Sequence, residues 1–268
     1  MSVPNLTAPR LNPRRLGALN PRRLGALGRS ELTLLRRNRT ALSMALLMPA
    51  AMVFLLRSTL ADADEQSAAA LGRATLSGGT GLVLLLVVYM NLVSAYVARR
   101  EELVLKRLRT GEAGDLEILA GTALPAAVVA LGQIGVLVLA GAAALDAPMP
   151  DNPLLLIVAV LAAIVLLAGL AALTSSFTRS VESAGITTVP LLLVSLLGSG
   201  LFVPMDSLPR TLASVCELLP LSGVMTLVRG AWDGAPAGDL TGAALVTVAW
   251  TVNTVFAVHR WFRWEPRR

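Results

Sequence analysis

The chain has 268 residues, of which 55% are hydrophobic and only 15% are charged, and its formal net charge is +6. Soluble domains carry roughly 25% charged residues, so this composition excludes a disordered chain and argues against a water-soluble globule. Cys216 is the only cysteine and His259 the only histidine, which excludes an intrachain disulfide, a cysteine-based metal site and a histidine cluster.

The first 29 residues form a basic segment without a single acidic residue. They contain the octet NPRRLGAL twice in tandem, at 12–19 and 20–27. We predict a disordered tail, because such a segment cannot bury a core. For this tail we favour contact with anionic lipid, or a role as a topology signal, over nucleic-acid binding. Residues 30–39 are predicted to form a short interfacial helix with Ser30 as its N-cap.

Six runs without Asp, Glu, Lys or Arg make up most of the region from residue 40 to residue 259. A helix needs about 20 mostly apolar residues to cross a bilayer, and runs without period-2 alternation indicate helices rather than barrel strands. The predicted spans are Thr40–Leu56, Leu76–Ala98, Ile118–Leu145, Pro153–Phe177, Gly185–Val203 and Leu240–His259. The predicted fold is therefore an all-α integral membrane protein whose membrane domain, 40–259, has six transmembrane helices.

The basic residues predict how these spans are oriented. All but four of the 23 Lys and Arg residues lie in the segments 1–39, 99–117, 178–184 and 260–268. Cytoplasmic segments of membrane proteins carry such an excess, so both termini are predicted to be cytoplasmic, which requires an even number of spans. Residues 260–268 are then a basic cytoplasmic tail of a multi-pass protein of the plasma membrane.

The predicted spans contain no Asp, Glu, Lys or Arg, which disfavours an ion-coupled pump, because pumps commonly place ionisable groups in the membrane. The amides Asn91, Gln133 and Asn253 either line a substrate path or form interhelical hydrogen bonds. A phosphate-binding loop needs a lysine after glycine, but the sole lysine, Lys106, follows Leu105. ATP-driven work must therefore come from another polypeptide, and we predict neither a catalytic residue nor a metal site in this chain.

Two charged or unusually long segments interrupt the apolar runs. Residues 98–121, ARREELVLKRLRTGEAGDLEILAG, are too charged to lie in lipid, and Thr110–Gly111 is a predicted helix end. The residues alone leave open a solvated loop or a surface for a partner. In the loop 204–239, helical spacing of leucines and Pro220 predict two short helices, the second capped by Ser222 and reaching Arg229. They are too short to span, so we expect a helical hairpin that dips into or lies on the outer face.

Together these two segments resemble the permease subunits of type-2 ABC exporters, the drug-exporter class found in actinobacteria. The stretch ARREELVLKRLRTGEAGDLEILAG is similar to the family's cytoplasmic loop after its second span. The stretch GLFVPMDSLPRTLASVCELLPLSGVMTLVRG, residues 200–230, is similar to the exit of its fifth span. The resemblance covers roughly residues 30–262 and leaves out the doubled octet.

The resemblance implies a transporter built from two permeases, as two copies or with a related chain, and two ABC ATPase subunits that bind ATP and Mg²⁺, so that this chain needs no cofactor. It assigns ATPase coupling to Arg99, Arg100, Glu101, Glu102, Leu103, Lys106, Arg107, Leu108 and Arg109, with Leu103 and Leu108 packing beneath the charged contacts. It assigns an outer gate to Pro204, Leu208, Pro209 and Pro220. A charge-free path favours hydrophobic or amphiphilic cargo, such as a drug or natural product.

Two other functions are kept beside ATP-driven export. An ion-coupled secondary carrier would transport in vesicles that contain no ATPase. A non-transporting membrane scaffold or immunity protein would be indifferent to changes at Glu101 and Arg107.

Overall fold

The computed structural model describes residues 65–110, 114–144, 149–201 and 208–264. The predicted basic tail, interfacial helix and first span, 1–56, lie outside the described residues, and so do Pro204 and the last four residues of the C-terminal tail. Predictions for these parts of the chain remain predictions.

The described part is helical throughout its regular structure. The helices are α1 (Glu65–Val83), a π-helical segment (Leu84–Met90), α2 (Asn91–Glu101), α3 (Val104–Thr110), α4 (Asp115–Ala144), α5 (Pro153–Phe177), α6 (Val181–Gly198), α7 (Arg210–Glu217), α8 (Pro220–Asp233) and α9 (Ala237–Trp261). The first three elements are continuous and together form one long helix.

Among the described residues, five helices are long and apolar enough to cross a membrane. They are Ala69–Glu101, Asp115–Ala143, Pro153–Phe177, Val181–Gly198 and Ala237–Trp261. These five coincide with the second to sixth predicted spans, and the all-α membrane fold is confirmed. The short helices α7 and α8 meet at 92° and would count as a sixth, broken span by length and composition.

The five spans run in alternating directions, so that their ends meet at two opposite ends of the bundle. At one end, which we call the outer end, the backbone N–H of Asn152 donates to the carbonyl of Ala231, at 3.0 Å. At the other, the inner end, Arg100 donates to the carbonyl of Ser175, at 2.6 Å, and the N–H of Arg263 donates to Ser176 Oγ, at 3.4 Å. The inner end carries the basic segments, so the charge distribution predicts that it is cytoplasmic.

Helix α5 lies at the centre of the bundle, where it packs against α2, the π-helical segment, α8 and α9. Its start is defined by Asn152, whose side chain accepts the N–H of Leu155, and by Pro153 in the first turn. Small buried residues on α5, Ala159 and Ala163 among them, let neighbouring helices approach closely. Motion of α5 would therefore involve most of the described bundle.

The outer hairpin, residues 210–233, dips into the bundle rather than lying on it. Pro220 begins α8, and contacts run antiparallel along α9: a Cβ on Gly223 would lie 2.7 Å from the carbonyl oxygen of Ala243, and one on Gly230 would lie 2.6 Å from Leu240. At the hairpin turn, Trp250 Nε1 donates to the carbonyl of Leu218, at 2.8 Å. The turn therefore lies about 20 Å along α9 from its outer start, at 1.5 Å per residue.

The predicted limits of the second hairpin helix were wrong. Ser222 does not cap it; its hydroxyl donates to the carbonyl of Gly198, at 2.9 Å, and ties α8 to the end of α6. The helix starts three residues earlier, with Leu219 as its N-cap, because proline is well suited to a first turn that has no N–H partner. It continues past Arg229 to Asp233 and ends at Gly234, whose φ of 65° is the left-handed conformation that glycine adopts readily.

Candidate functional site

The charged segment at the inner end folds as a tight turn followed by the short helix α3. The N–H of Glu102 donates to the carbonyl of Ala98 and that of Leu103 to the carbonyl of Arg100, at 3.0 and 3.1 Å. Leu103 has a φ of 58°, a left-handed conformation that costs about 1–3 kcal/mol for a residue with a side chain. Helix α3 is described as far as Thr110, and the predicted helix end at Thr110–Gly111 lies at the edge of the described residues.

One side of this segment faces outward. Glu101, Glu102, Leu103 and Arg107 are exposed, and Leu103 exposes 40% of its surface. Among the described residues, this leucine is held in a strained conformation and leaves 40% of its surface exposed between charged side chains. Strain of this kind is concentrated at functional sites, which makes this outward face the candidate docking surface.

The other side of α3 is fixed to the bundle. Leu105 is fully buried and Leu108 packs against the core. Arg109 forms an ion pair with Asp115 of α4, at 3.1 Å, and its guanidinium lies 4.8 Å from the ring centre of Trp264. Helix α3 is therefore connected both to α4 and to the segment that follows α9.

The predicted packing of this segment was partly wrong. Leu108 packs beneath the charged contacts as expected, but Leu103 is exposed and Leu105 takes the inward position. The physical reason is that α3 begins at Val104, so Leu105, Leu108 and Arg109 share one helical face. Leu103 precedes the helix and falls outside that spacing.

Arg99 and Arg100 point into the bundle instead of towards a partner. Arg99 Nη1 donates to Thr122 Oγ1 on α4, at 3.2 Å. Arg100 is 1% exposed and donates to the carbonyls of Ser175 and Thr178 at the end of α5. The family resemblance assigns both arginines to the coupling contacts. A signal in the sequence was available: residues 93, 96, 97 and 100 continue one buried helical stripe.

The other predicted positions fall into different environments. Of the three amides, Asn91 and Asn253 are exposed on their helices, whereas Gln133 is buried. Of the outer-gate residues that the structure describes, Leu208 is half-buried, Pro209 is exposed before α7, and Pro220 is buried at the start of α8. Lys106 lies on α3, but its side chain is outside the described set.

An apolar groove, which sequence reasoning missed, opens between α2, α4, α5 and α9 in the inner half of the bundle. Its volume is about 380 Å³, and its lining includes Ala123, Gly169 and Val258. The hydroxyl of Tyr96, another lining residue, donates to the carbonyl of Leu119, at 3.0 Å. With that hydroxyl bonded to the backbone, the groove offers an apolar surface to whatever occupies it.

The family model described as ABC-2 type transporter matches residues 22–231. The chain belongs to the ABC-2 type transporter family. This ABC-2 protein is a permease, the transmembrane component of an ABC transporter, and is not itself the catalytic subunit. The family implies an ABC ATPase as its partner and a multi-pass location in the plasma membrane. No curated protein matches the chain.

Proposed function

We propose that this permease belongs to an ATP-driven exporter and that the outward face of its inner segment docks on the ATPase subunit. The docking surface consists of Glu101, Glu102, Leu103 and Arg107. The observation that supports this most is the two-sided build of the segment, in which the opposite face is anchored to the bundle.

This build suits the transfer of a displacement between subunits. The apolar side chain of Leu103 offers a partner a hydrophobic contact, while the charges around it set orientation and specificity. Because Leu105, Leu108 and Arg109 hold α3 against the bundle, a push on the docking surface reaches the spans. ATP and Mg²⁺ would be bound by the ATPase, whose closure supplies the push.

The cargo that we propose is a hydrophobic or amphiphilic compound, such as a drug or natural product. The spans lack acidic and basic residues over most of their length, and the apolar groove lies in the inner half of the bundle. A site of this character penalises a multivalent ion through the cost of removing its water. A second permease, identical or related, completes the path, and direction follows from different cargo affinities in the two access states.

Charge reversal on the docking surface tests the proposal. The double variant Glu101→Arg with Arg107→Glu is expected to lose at least ten-fold in the amount of ATPase that co-purifies from detergent, because both contacts become repulsive. The matched control is Arg73→Asp with Asp233→Arg, which exchanges the two members of an ion pair of 3.4 Å at the outer end. That control should retain the ATPase. Full retention by the Glu101/Arg107 variant would contradict the proposed surface.

Purified permease in liposomes tests the alternative of an ion-coupled carrier. With a lipophilic fluorescent dye as the probe and an imposed proton or sodium gradient, we expect no uphill movement of dye until the ATPase and ATP are present. Uphill flux that collapses with the ion gradient would favour the carrier instead.

A further inference from the structure

A buried arginine joins the docking segment to the central span. Arg100 is 1% exposed, yet it lies one residue before the exposed Glu101. Its guanidinium donates through Nη1 to the carbonyl of Ser175 and through Nη2 to the carbonyl of Thr178. We propose that Arg100 is the positioning residue through which a displacement of α3 is transmitted to α5. This inference rests on the proposed function.

The acceptor side of the contact explains why a cation is held there. The last carbonyls of a helix have few partners within the helix, and the helix macrodipole makes that end negative. The Ser175 carbonyl accepts the N–H of Thr178, at 3.2 Å, and its second lone pair is available to Arg100. Thr178 directly follows α5, and both it and Ser175 are buried, so water is excluded from these carbonyls. The two prongs of a guanidinium reach two oxygens in one fixed geometry, which the point charge of a lysine does not.

The donor side connects Arg100 to the docking surface through its own backbone. The carbonyl of Arg100 accepts the N–H of Leu103, at 3.1 Å. The carbonyl of Leu103 in turn accepts the N–H of Arg107 in α3, at 3.0 Å. The side chain of Arg100 therefore bonds to α5. Its backbone carbonyl bonds to Leu103, the residue that precedes α3.

Helix α5 extends from Arg100 to the outer end of the bundle and would carry the displacement there. Helix α5 has 25 residues, about 37 Å at 1.5 Å per residue, and packs against α8 of the outer hairpin. Just before its outer start, the N–H of Asn152 donates to the carbonyl of Ala231 in α8. Arg100 thus stands at the inner end of a helix whose other end touches the outer hairpin.

Arg99 provides a matched control in the neighbouring position. It carries the same charge, but it donates to Thr122 Oγ1 on α4, at 3.2 Å. A role in transmission to α5 predicts different behaviour for Arg99 and Arg100. A general role in charge or folding predicts similar behaviour.

The experiment uses the full permease–ATPase complex in nanodiscs, with Cys216→Ser removing the native thiol. Spin labels on Phe177→Cys and His259→Cys, exposed residues at the inner ends of α5 and α9, report their separation without nucleotide and with ATP and orthovanadate. We expect the separation of the two labels to change with nucleotide both in the protein that keeps Arg100 and in the Arg99→Met variant. In Arg100→Met the shift should fall below half, while the ATPase still co-purifies and hydrolyses ATP.

Arg100→Lys keeps the charge and covers the case in which Arg100→Met does not fold. An intermediate shift is expected, because a single ammonium does not bridge both carbonyls. If Arg100→Met assembles and shows the same change in label separation as the wild type, the inference is overturned, since the contact would then be structural only. If only Arg100→Lys assembles, an unreduced change in that variant overturns it. A wild-type complex that binds ATPase but shows no shift overturns the transmission role while leaving the proposed function standing. Loss of ATPase binding by the wild type would overturn both.

Discussion

The inner helix α3 and the outer helix α8 are both short helices beside the spans, but they are held in opposite ways. Helix α3 is anchored on one side, by Leu105, Leu108 and Arg109, and leaves its other side open. Helix α8 is buried along almost its entire length and packs against α1, α5 and α9. The difference fits the proposed role of α3 as a surface for a partner, whereas α8 is a part of the bundle itself.

The close approach of the α8 and α9 backbones explains the burial of α8. Gly223 faces Ala243 and Thr247, and Gly230 faces Leu240. Without side chains at these two positions, α8 and α9 approach more closely than larger residues would allow. The outer hairpin is therefore sensitive to added volume, and the inner segment is sensitive to changes of charge and backbone conformation.

The largest effect is expected for Gly223→Ala. The new Cβ would lie 2.7 Å from both the Ala243 carbonyl oxygen and Thr247 Oγ1, and a backbone atom cannot rotate away. Overpacking of this kind typically costs about 1–3 kcal/mol. Thermal unfolding of the purified permease in detergent should show a lower transition temperature.

Gly242→Ala is the control for this prediction. It lies in α9, where a Cβ meets no atom within 4 Å, so the change removes a glycine from a helix without a clash. Its transition temperature should stay level or rise, because alanine is favoured in a helix by about 1 kcal/mol. Equal behaviour of the two variants would show that the α8–α9 approach is loose.

The apolar runs were sufficient to predict the five described spans, because a bilayer requires about 20 apolar residues in helical form. The burial of Arg100 was not predicted, because charge was taken to mean surface, and its acceptors at 175 and 178 lie far away in sequence. The sequence left open whether the hairpin dips into the bundle or lies on it, since small residues such as Gly223 and Gly230 reveal close approach only once their neighbours are known.

A smaller effect, with opposite signs in two assays, is expected at Leu103. Leu103→Gly removes the penalty of the left-handed conformation, and should raise the free energy of unfolding by about 1 kcal/mol. It also removes the exposed side chain, so ATPase co-purification should fall. Stability measured by thermal unfolding and binding measured by pull-down should thus change in opposite directions.

Leu103→Ala separates the two contributions. It keeps a Cβ and therefore the strain, but loses the exposed apolar contact. We expect unchanged stability with reduced ATPase binding. Undiminished binding by both variants would mean that the leucine takes no part in docking, and its conformation would have no explanation in the proposed surface.

The smallest effect is expected where the turn of the outer hairpin is tied to α9. Trp250→Phe keeps most of the aromatic surface but removes the Nε1–H that donates to the Leu218 carbonyl at 2.8 Å. Hydrogen bonds between membrane helices contribute about 0.6 kcal/mol on average, so the transition temperature should drop less than for Gly223→Ala. A drop as large as that of Gly223→Ala would show that a polar contact, like those anchoring α3, holds the outer hairpin in place. The contrast between the two regions would then lie in their exposure alone.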